Sequence, residues 1–315
     1  MAELVLGIGT SHAPQLKIPP EKWHLMQEKD QKDPRYNYQE VLRRAKPEIR
    51  DELTEDVFKK KFTACHASIS KLRDALTRTA PDVIVICGDD QHEQFWEDNM
   101  PMFSIYYGDT VERRERSRNT WWNADAAYAP DGDHSYRCDA QLARHLIKES
   151  IASGFDIASS NKLRQEIGLG HAFTFVTNDL LPKAIPIVPI MINAFFPPNQ
   201  PLPGRCYALG KTLSAAIKSW DSKSRVAIIA SGGLSHFIID EELDKMVLDA
   251  LLKKDKDKLF NLPLARLLYL GNGEALNWII AAGAMENFKP ALLDYIPCPR
   301  TPAGTGCAMA FVEWN

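Results

Sequence analysis

Four short runs of β-branched and apolar residues, each of strand length, do most to limit what this chain can fold into. Leu4 to Gly9, Val83 to Cys87, Ile185 to Ile192 and Val226 to Ala230 carry almost no polar side chain, which is how strands covered on both faces read. Met102 to Tyr107 and Met309 to Val312 are weaker runs of the same kind. Between them lie longer segments with helical spacing. Phe62, Cys65, Ile69, Leu72 and Leu76 step by three and four residues and mark one apolar stripe, and Thr54 with the acidic residues after it offers that helix a start. Leu209, Leu213, Ala216, Ile217 and Trp220 form a second stripe, Leu243, Met246, Val247 and Leu251 a third, and Leu276, Ile279, Ile280 and Ala284 a fourth. This alternation predicts an α/β fold. We expect one domain over residues 1–315, with a mixed, largely parallel central sheet covered by helices.

Two segments stand outside the alternation. Residues 19–61 are highly charged and show little strand pattern, so they read as a helical insertion after the first strand, a candidate cover for a pocket. Residues 108–136 are rich in Arg, Asp, Trp and Tyr without periodicity, and long loops of that kind in compact domains are usually lids or subunit contacts. The formal net charge of -3 offers no basic field for nucleic acid. No apolar run approaches the ~18 residues of a membrane span, and residues 1–10 lack the basic start of a signal peptide, so the reading is cytoplasmic. Six cysteines without a CxxC pair give no disulfide framework and no thiolate zinc site.

Ligands of open α/β sheets bind beyond the carboxyl ends of the strands. Three of those ends deliver a histidine. His12 follows the first strand in GIGTSHAP, His92 follows the second in CGDDQHE, and His236 follows another in ASGGLSHF, next to Ser235. A carboxylate would complete a two-histidine, one-carboxylate site with open metal positions. Glu274, in GNGEALNW at the start of a helix, is the best candidate. Each has a plain alternative: a hydrogen-bonded loop histidine, or an acid complementing the positive end of its helix. Asp89 and Asp90 read as turn or cap residues. Spacing alone leaves the presence and identity of a metal open.

Taken in order, GIGTSHAP, PDVIVICGDDQHEQF, Gly168 to His171, the run from Pro197 to Gly210, SGGLSHF and GEALNW resemble the class III extradiol dioxygenases, the superfamily of the catalytic subunit of protocatechuate 4,5-dioxygenase. Within it the 3-O-methylgallate and gallate dioxygenases look most alike. The resemblance covers most of the chain. It implies Fe(II)-dependent ring cleavage of a catechol-type aromatic acid such as 3-O-methylgallate, gallate or protocatechuate with O2, in a homodimer. It implies iron ligands at His12, Glu274 and a histidine of the GDDQHE segment, with His236 as acid/base and His171 lining the pocket; Ser235 is placed to orient His236 or substrate. The family carries Asn-Asp-His where this chain has Asp89-Asp90-Gln91-His92. Aligned without a gap the ligand falls on Gln91, and with one inserted residue on His92. Imidazole is the better Fe(II) ligand, so His92 is the expectation. The alternatives are a metal-dependent hydrolase on the same ligands and a metal-binding scaffold without activity.

Overall fold

The computed structural model describes residues 1–114, 132–164 and 166–315. Its strands, in chain order, are β1 (Glu3–Thr10), β2 (Val83–Asp89), β3 (Phe103–Tyr106), β4 (Thr110–Arg113), β5 (His134–Arg137), β6 (Ala158–Ser160), β7 (Ile187–Ile192), β8 (Arg225–Ser231), β9 (His236–Ile238), β10 (Pro290–Pro299) and β11 (Thr305–Trp314). The large sheet runs β10-β11-β1-β8-β2-β7-β3-β6, with β9 paired to β11. The middle ladder, β1 to β8 to β2 to β7, is parallel throughout, while β11 and β3 join it antiparallel at either side. The sheet is therefore mixed with a parallel centre. The four strongest apolar runs of the sequence are those four central strands.

Strand parity divides the core. Val83, Val85 and Cys87 of β2 and Val226, Ile228 and Ala230 of β8 face one layer. It is supplied by helices α2 (Ala140–Ala152), α3 (Pro203–Ser219), α4 (Glu241–Leu252) and α5 (Ala275–Ala284). Ile84, Ile86, Ala227 and Ile229 face the other layer, covered by α1 (Glu55–Thr79). Thr54 caps α1 by accepting from the Val57 N–H, and Phe58, Cys65, Ile69, Leu72 and Leu76 are buried along it. That matches the stripe read from the sequence except at the half-buried Phe62. In the third stripe Met246 is 40% exposed, so only Leu243, Val247 and Leu251 of it serve the core.

Residues 19–61 fold as short helical pieces, Pro20–Leu25, Met26–Gln31, Tyr38–Arg44 and Pro47–Glu52, after β1. They are tied down by the buried Trp23 and Met26, which pack in the core of the α1 layer. Of the 108–136 segment, β4 and β5 pair as a separate two-stranded ribbon, and residues 115–131, with Trp121, Trp122 and Tyr128, lie outside the described residues. Among the described residues no helix is long and apolar enough to cross a membrane. All six cysteines are free.

Candidate metal and catalytic site

Register brings the carboxyl ends of the central strands level: Thr10 lies opposite Ser231, Ser231 opposite Gly88, and Asp89 opposite Ile192. The turns that leave these strand ends are thereby placed side by side. Parity then sorts the side chains. Asp89 shares the face of Val83, Val85 and Cys87, and so meets α5, where the Asn277 amide donates to its Oδ1 at 3.3 Å. Ser231 shares the opposite face with Ala227 and Ile229, and its hydroxyl donates to the Ala172 carbonyl at 2.6 Å.

That last bond fixes a tautomer. With its one proton spent on Ala172, Ser231 Oγ can only accept from His12 Nδ1, 3.0 Å away. His12 Nε2 is left as the lone-pair end of the ring. It faces Glu274 Oε2 at 3.6 Å and Asp89 Oδ1 at 4.0 Å, too far to be a hydrogen bond. Burial holds the His12 imidazole far below its ordinary range, at about 3, so the ring is neutral. A lone pair aimed at the Glu274 carboxylate repels it unless a proton or a cation lies between.

His171 begins a short helical segment after Gly170 and packs edge-on against His12, ring centroids 4.7 Å apart. Glu93 Oε1 accepts from both the His171 backbone N–H at 2.8 Å and Nδ1 at 3.0 Å. Gly170 makes room for this: a Cβ there would come within 2.3 Å of the Glu93 carboxylate. Burial works against a charge on His171, but Glu93 beneath the ring outweighs it and raises the imidazole to about 10. Nε2 is buried without a hydrogen-bond partner among the described residues. His12, Asp89 and His171 offer ligand atoms all within 4.8 Å of one another.

Glu274 ends the turn Leu270–Glu274 and leads into α5. Its carboxylate accepts from His236 Nε2 at 2.9 Å, Gln91 Nε2 at 3.2 Å and the Gly233 N–H. Burial opposes its charge, but His236 and His12 beside it hold the carboxyl well below the usual carboxylate range. Asp89 is pushed the other way, to about 8, by burial and by Glu274. Gln91 bridges the two acids, donating to Asp89 Oδ2 at 3.2 Å as well. His236 Nδ1 donates to the Leu234 carbonyl, 2.8 Å away. Its pKa is raised: burial lowers it, and the Glu274 carboxylate more than compensates. Gly271 lets this ring approach, since a Cβ there would lie 2.3 Å from Nε2.

The structure thus brings together His12, Glu274, His236 and His171, and does not bring His92 to them. The Asp90 carboxylate accepts from the N–H groups of Glu93, Gln94 and Phe95 and winds the chain after β2 into a tight turn. His92 sits in that turn with a left-handed φ of 60°. Its ring stacks between Phe196 at 3.7 Å and Trp96 at 4.6 Å, with Nε2 3.3 Å from Glu97 Oε1. Gln91, the position given by the ungapped alignment, is the residue that faces the pocket. Ser235 is buried with its hydroxyl turned from the pocket, donating to Asp244 Oδ2 and accepting from the Asp240 N–H, both at 2.7 Å. It anchors the His236 loop to α4.

Asp89, read as a turn residue, is part of the cluster, and its place at a buried strand end was the available signal. Glu93 had no signal in the sequence, because its role depends on where His171 arrives. His12, Gln91, His171, His236 and Glu274 line a cavity of about 200 Å³, shared with Lys29, Arg35, Phe237 and Arg300. That is smaller than the ~300–1,000 Å³ pockets of drug-sized ligands and suits a single substituted ring.

A family model described as the catalytic LigB subunit of aromatic ring-opening dioxygenase matches residues 41–305. The chain is 32% identical over 199 residues to gallate dioxygenase of Pseudomonas putida, covering 58% of this chain and 54% of that protein. It is 29% identical over 175 residues to a 2,3-dihydroxyphenylpropionate/2,3-dihydroxicinnamic acid 1,2-dioxygenase of Rhodococcus jostii, covering 54% of this chain and 48% of the relative. The corresponding enzyme of Comamonas testosteroni is 30% identical over 173 residues, 55% of this chain and 49% of the relative. The chain spans about half the length of the curated relatives it matches.

Proposed function

This chain belongs to the family of the catalytic LigB subunit of aromatic ring-opening dioxygenases, and from that premise we propose that it opens the ring of a catechol-type aromatic acid with O2 at one non-haem Fe(II). The observation that carries the reading is the pair of locked imidazoles. His12 and His171 each engage Nδ1, on Ser231 and Glu93; His12 Nε2 faces Glu274 and Asp89, and His171 Nε2 is buried without a hydrogen-bond partner among the described residues. An imidazole oriented from behind by a carboxylate is the arrangement that metal-binding histidines use. The donor set is nitrogen and oxygen without thiolate, which suits Fe(II). His12, His171 and Glu274 would hold the ion, with Asp89 beside them and Gln91 tying the two carboxylates together. His92 has no part in this set.

Bound Fe(II) would supply a Lewis acid for the two ring oxygens and a route around the spin barrier between the ring and O2. The remaining tasks fall to the chain itself. His236 is the acid/base: with Nδ1 on the Leu234 carbonyl, its exchangeable proton is at Nε2, the atom on the pocket side next to Glu274. Nε2 carries the proton that it gives to Glu274; with Glu274 engaged by the ion and that proton shed, Nε2 would take one from a substrate hydroxyl and return it later in the cycle. Ser235, through Asp244, keeps that ring in place. Phe237 lines the same cavity as the wall for the aromatic ring.

The test is oxygen uptake by protein loaded anaerobically with Fe(II), given 3-O-methylgallate, gallate and protocatechuate in turn. Stoichiometric uptake with a new ring-opened chromophore is expected for at least one of them. Protein that holds iron and consumes no oxygen with any would overturn the reading, and hydrolytic activity with Zn(II) in its place would favour a hydrolase on the same ligands.

A further inference from the structure

The cavity has a second charged end, away from the histidines. Lys29, Arg35 and Arg300 line it together with His12 and Glu274. The first two come from the insertion after β1. Three cations here face two anions, Asp30 and Asp33, and the pairing is uneven. Arg300 is committed: Nε and Nη2 donate to the two oxygens of the fully buried Asp30 at 2.6 and 2.9 Å, and Nη1 donates to Gln15 at 3.2 Å. Asp30 Oδ2 also accepts from Thr305 Oγ1 at 2.5 Å. Arg35 is committed as well. It forks onto both oxygens of Asp33 through Nε at 2.8 Å and Nη2, and its guanidinium lies 3.4 Å over the centre of the Phe237 ring.

Lys29 is what remains. Its ammonium reaches only the outer edge of hydrogen bonding, 3.4 Å from Asp30 Oδ1 and 3.5 Å from Asp33 Oδ2, on oxygens that already serve an arginine. An ammonium has three donors. Its side chain is 25% exposed, on the cavity side of a helix pinned by Met26. Burial and the neighbouring Arg300 both lower its pKa, which is the mark of a cation short of a counter-ion.

We propose that Lys29 is the residue that recognises the carboxylate of an acidic ring substrate, with the Arg300–Asp30 and Arg35–Asp33 pairs as the fixed frame that holds it over the pocket. The inference rests on the ring-opening reading for the identity of the ring and its acid group, and it adds the residue that meets that group. Two poles then orient the molecule. The hydroxyls face the histidine and carboxylate end, where a second negative charge would be repelled by Glu274, and the carboxylate faces Lys29. Phe237 lies between the poles, next to His236 in the chain and under Arg35.

The experiment is an anaerobic calorimetric titration of Fe(II)-loaded wild type, Lys29→Met and Lys29→Arg with 3,4-dihydroxybenzoate and with 4-methylcatechol. The second probe keeps the ring hydroxyls and lacks the charge. Wild type is expected to favour the acid. Lys29→Met should weaken the acid roughly 10- to 100-fold, the range of one charge-assisted hydrogen bond, and move 4-methylcatechol by no more than about twofold. Lys29→Arg should keep most of the preference, and Lys29→Gln gives the same test should the Met variant not fold. Equal loss for both probes, or no preference in wild type, overturns the proposal. Oxygen uptake on the same samples separates the two readings: Lys29-dependent preference without uptake removes the ring-opening reading alone, and uptake without preference removes this inference alone.

Discussion

At the inner end of the cavity the titratable groups come from strand ends and the turns beside them, and two of the histidines are each held from behind through Nδ1 by one partner, Ser231 for His12 and Glu93 for His171. At the rim they come from a short helix (Lys29), the turn after it (Arg35) and the residue that follows β10 (Arg300), and the holding is done by two arginine–aspartate forks that share one neighbourhood. The inner end leaves ligand atoms aimed at one another without contact, as His12 Nε2 and Glu274 Oε2 are at 3.6 Å. The rim leaves one cation over. The first arrangement suits a small ion whose coordination geometry is strict, and the second suits an anionic group on a flexible arm of charge. Removing an inner-end group should therefore cost chemistry or metal, and removing a frame residue at the rim should cost stability first.

The sharpest break between the two is His236→Ala. Oxygen uptake should fall by roughly 10²- to 10⁴-fold while iron content after gel filtration stays normal; iron lost together with activity would make His236 a ligand instead. Next is Arg300→Met at the rim, which strands the buried Asp30. It should cost about 3–5 kcal/mol in denaturant unfolding, and a loss under ~1 kcal/mol would show that Asp30 finds other partners.

Asp244 sharpens the comparison through pH. Burial raises its carboxyl from 3.8 to about 6, so the folded protein holds this proton more tightly than the unfolded chain. Its contribution to stability is full below about pH 4 and is lost as pH rises through about 6, a swing of about 3 kcal/mol. Asp244→Asn should flatten that part of the stability profile; an unchanged slope between pH 4 and 6 would assign it to other groups. Glu93→Gln should then lower metal affinity by 10- to 100-fold, read by competition with a chelator; an affinity within about twofold of wild type would show that Glu93 does not orient a ligand. The smallest effect belongs to His92→Ala, for which metal affinity should stay within about twofold of wild type. A tenfold loss there would restore His92 to the ligand set.

The four central strands were legible because burial on both faces leaves an unmistakable run of apolar residues; His12 and His236 were singled out because strand ends are where ligands sit, and Glu274 because a two-histidine site needs a carboxylate. The choice between Gln91 and His92 was not legible. It turns on Asp90 accepting three backbone N–H groups and rotating the next residues, an effect of side-chain geometry that no hydrophobic period records. His171 was reached only through resemblance, since it lies on no major strand. Lys29 was out of reach, because its surplus charge exists only after Arg300, 271 positions later in the chain, has taken Asp30.

The loop that presents His12 is clamped by Ser11, whose N–H donates to the Ala310 carbonyl at 3.2 Å and whose hydroxyl accepts from the Ala310 N–H at 3.0 Å. These residues are 299 positions apart. A partly folded chain with β1 alone therefore displays the GTSHAP sequence without its geometry, and contacts of such long range form slowly. The setting of His12 is thus complete only when β11 lies against β1.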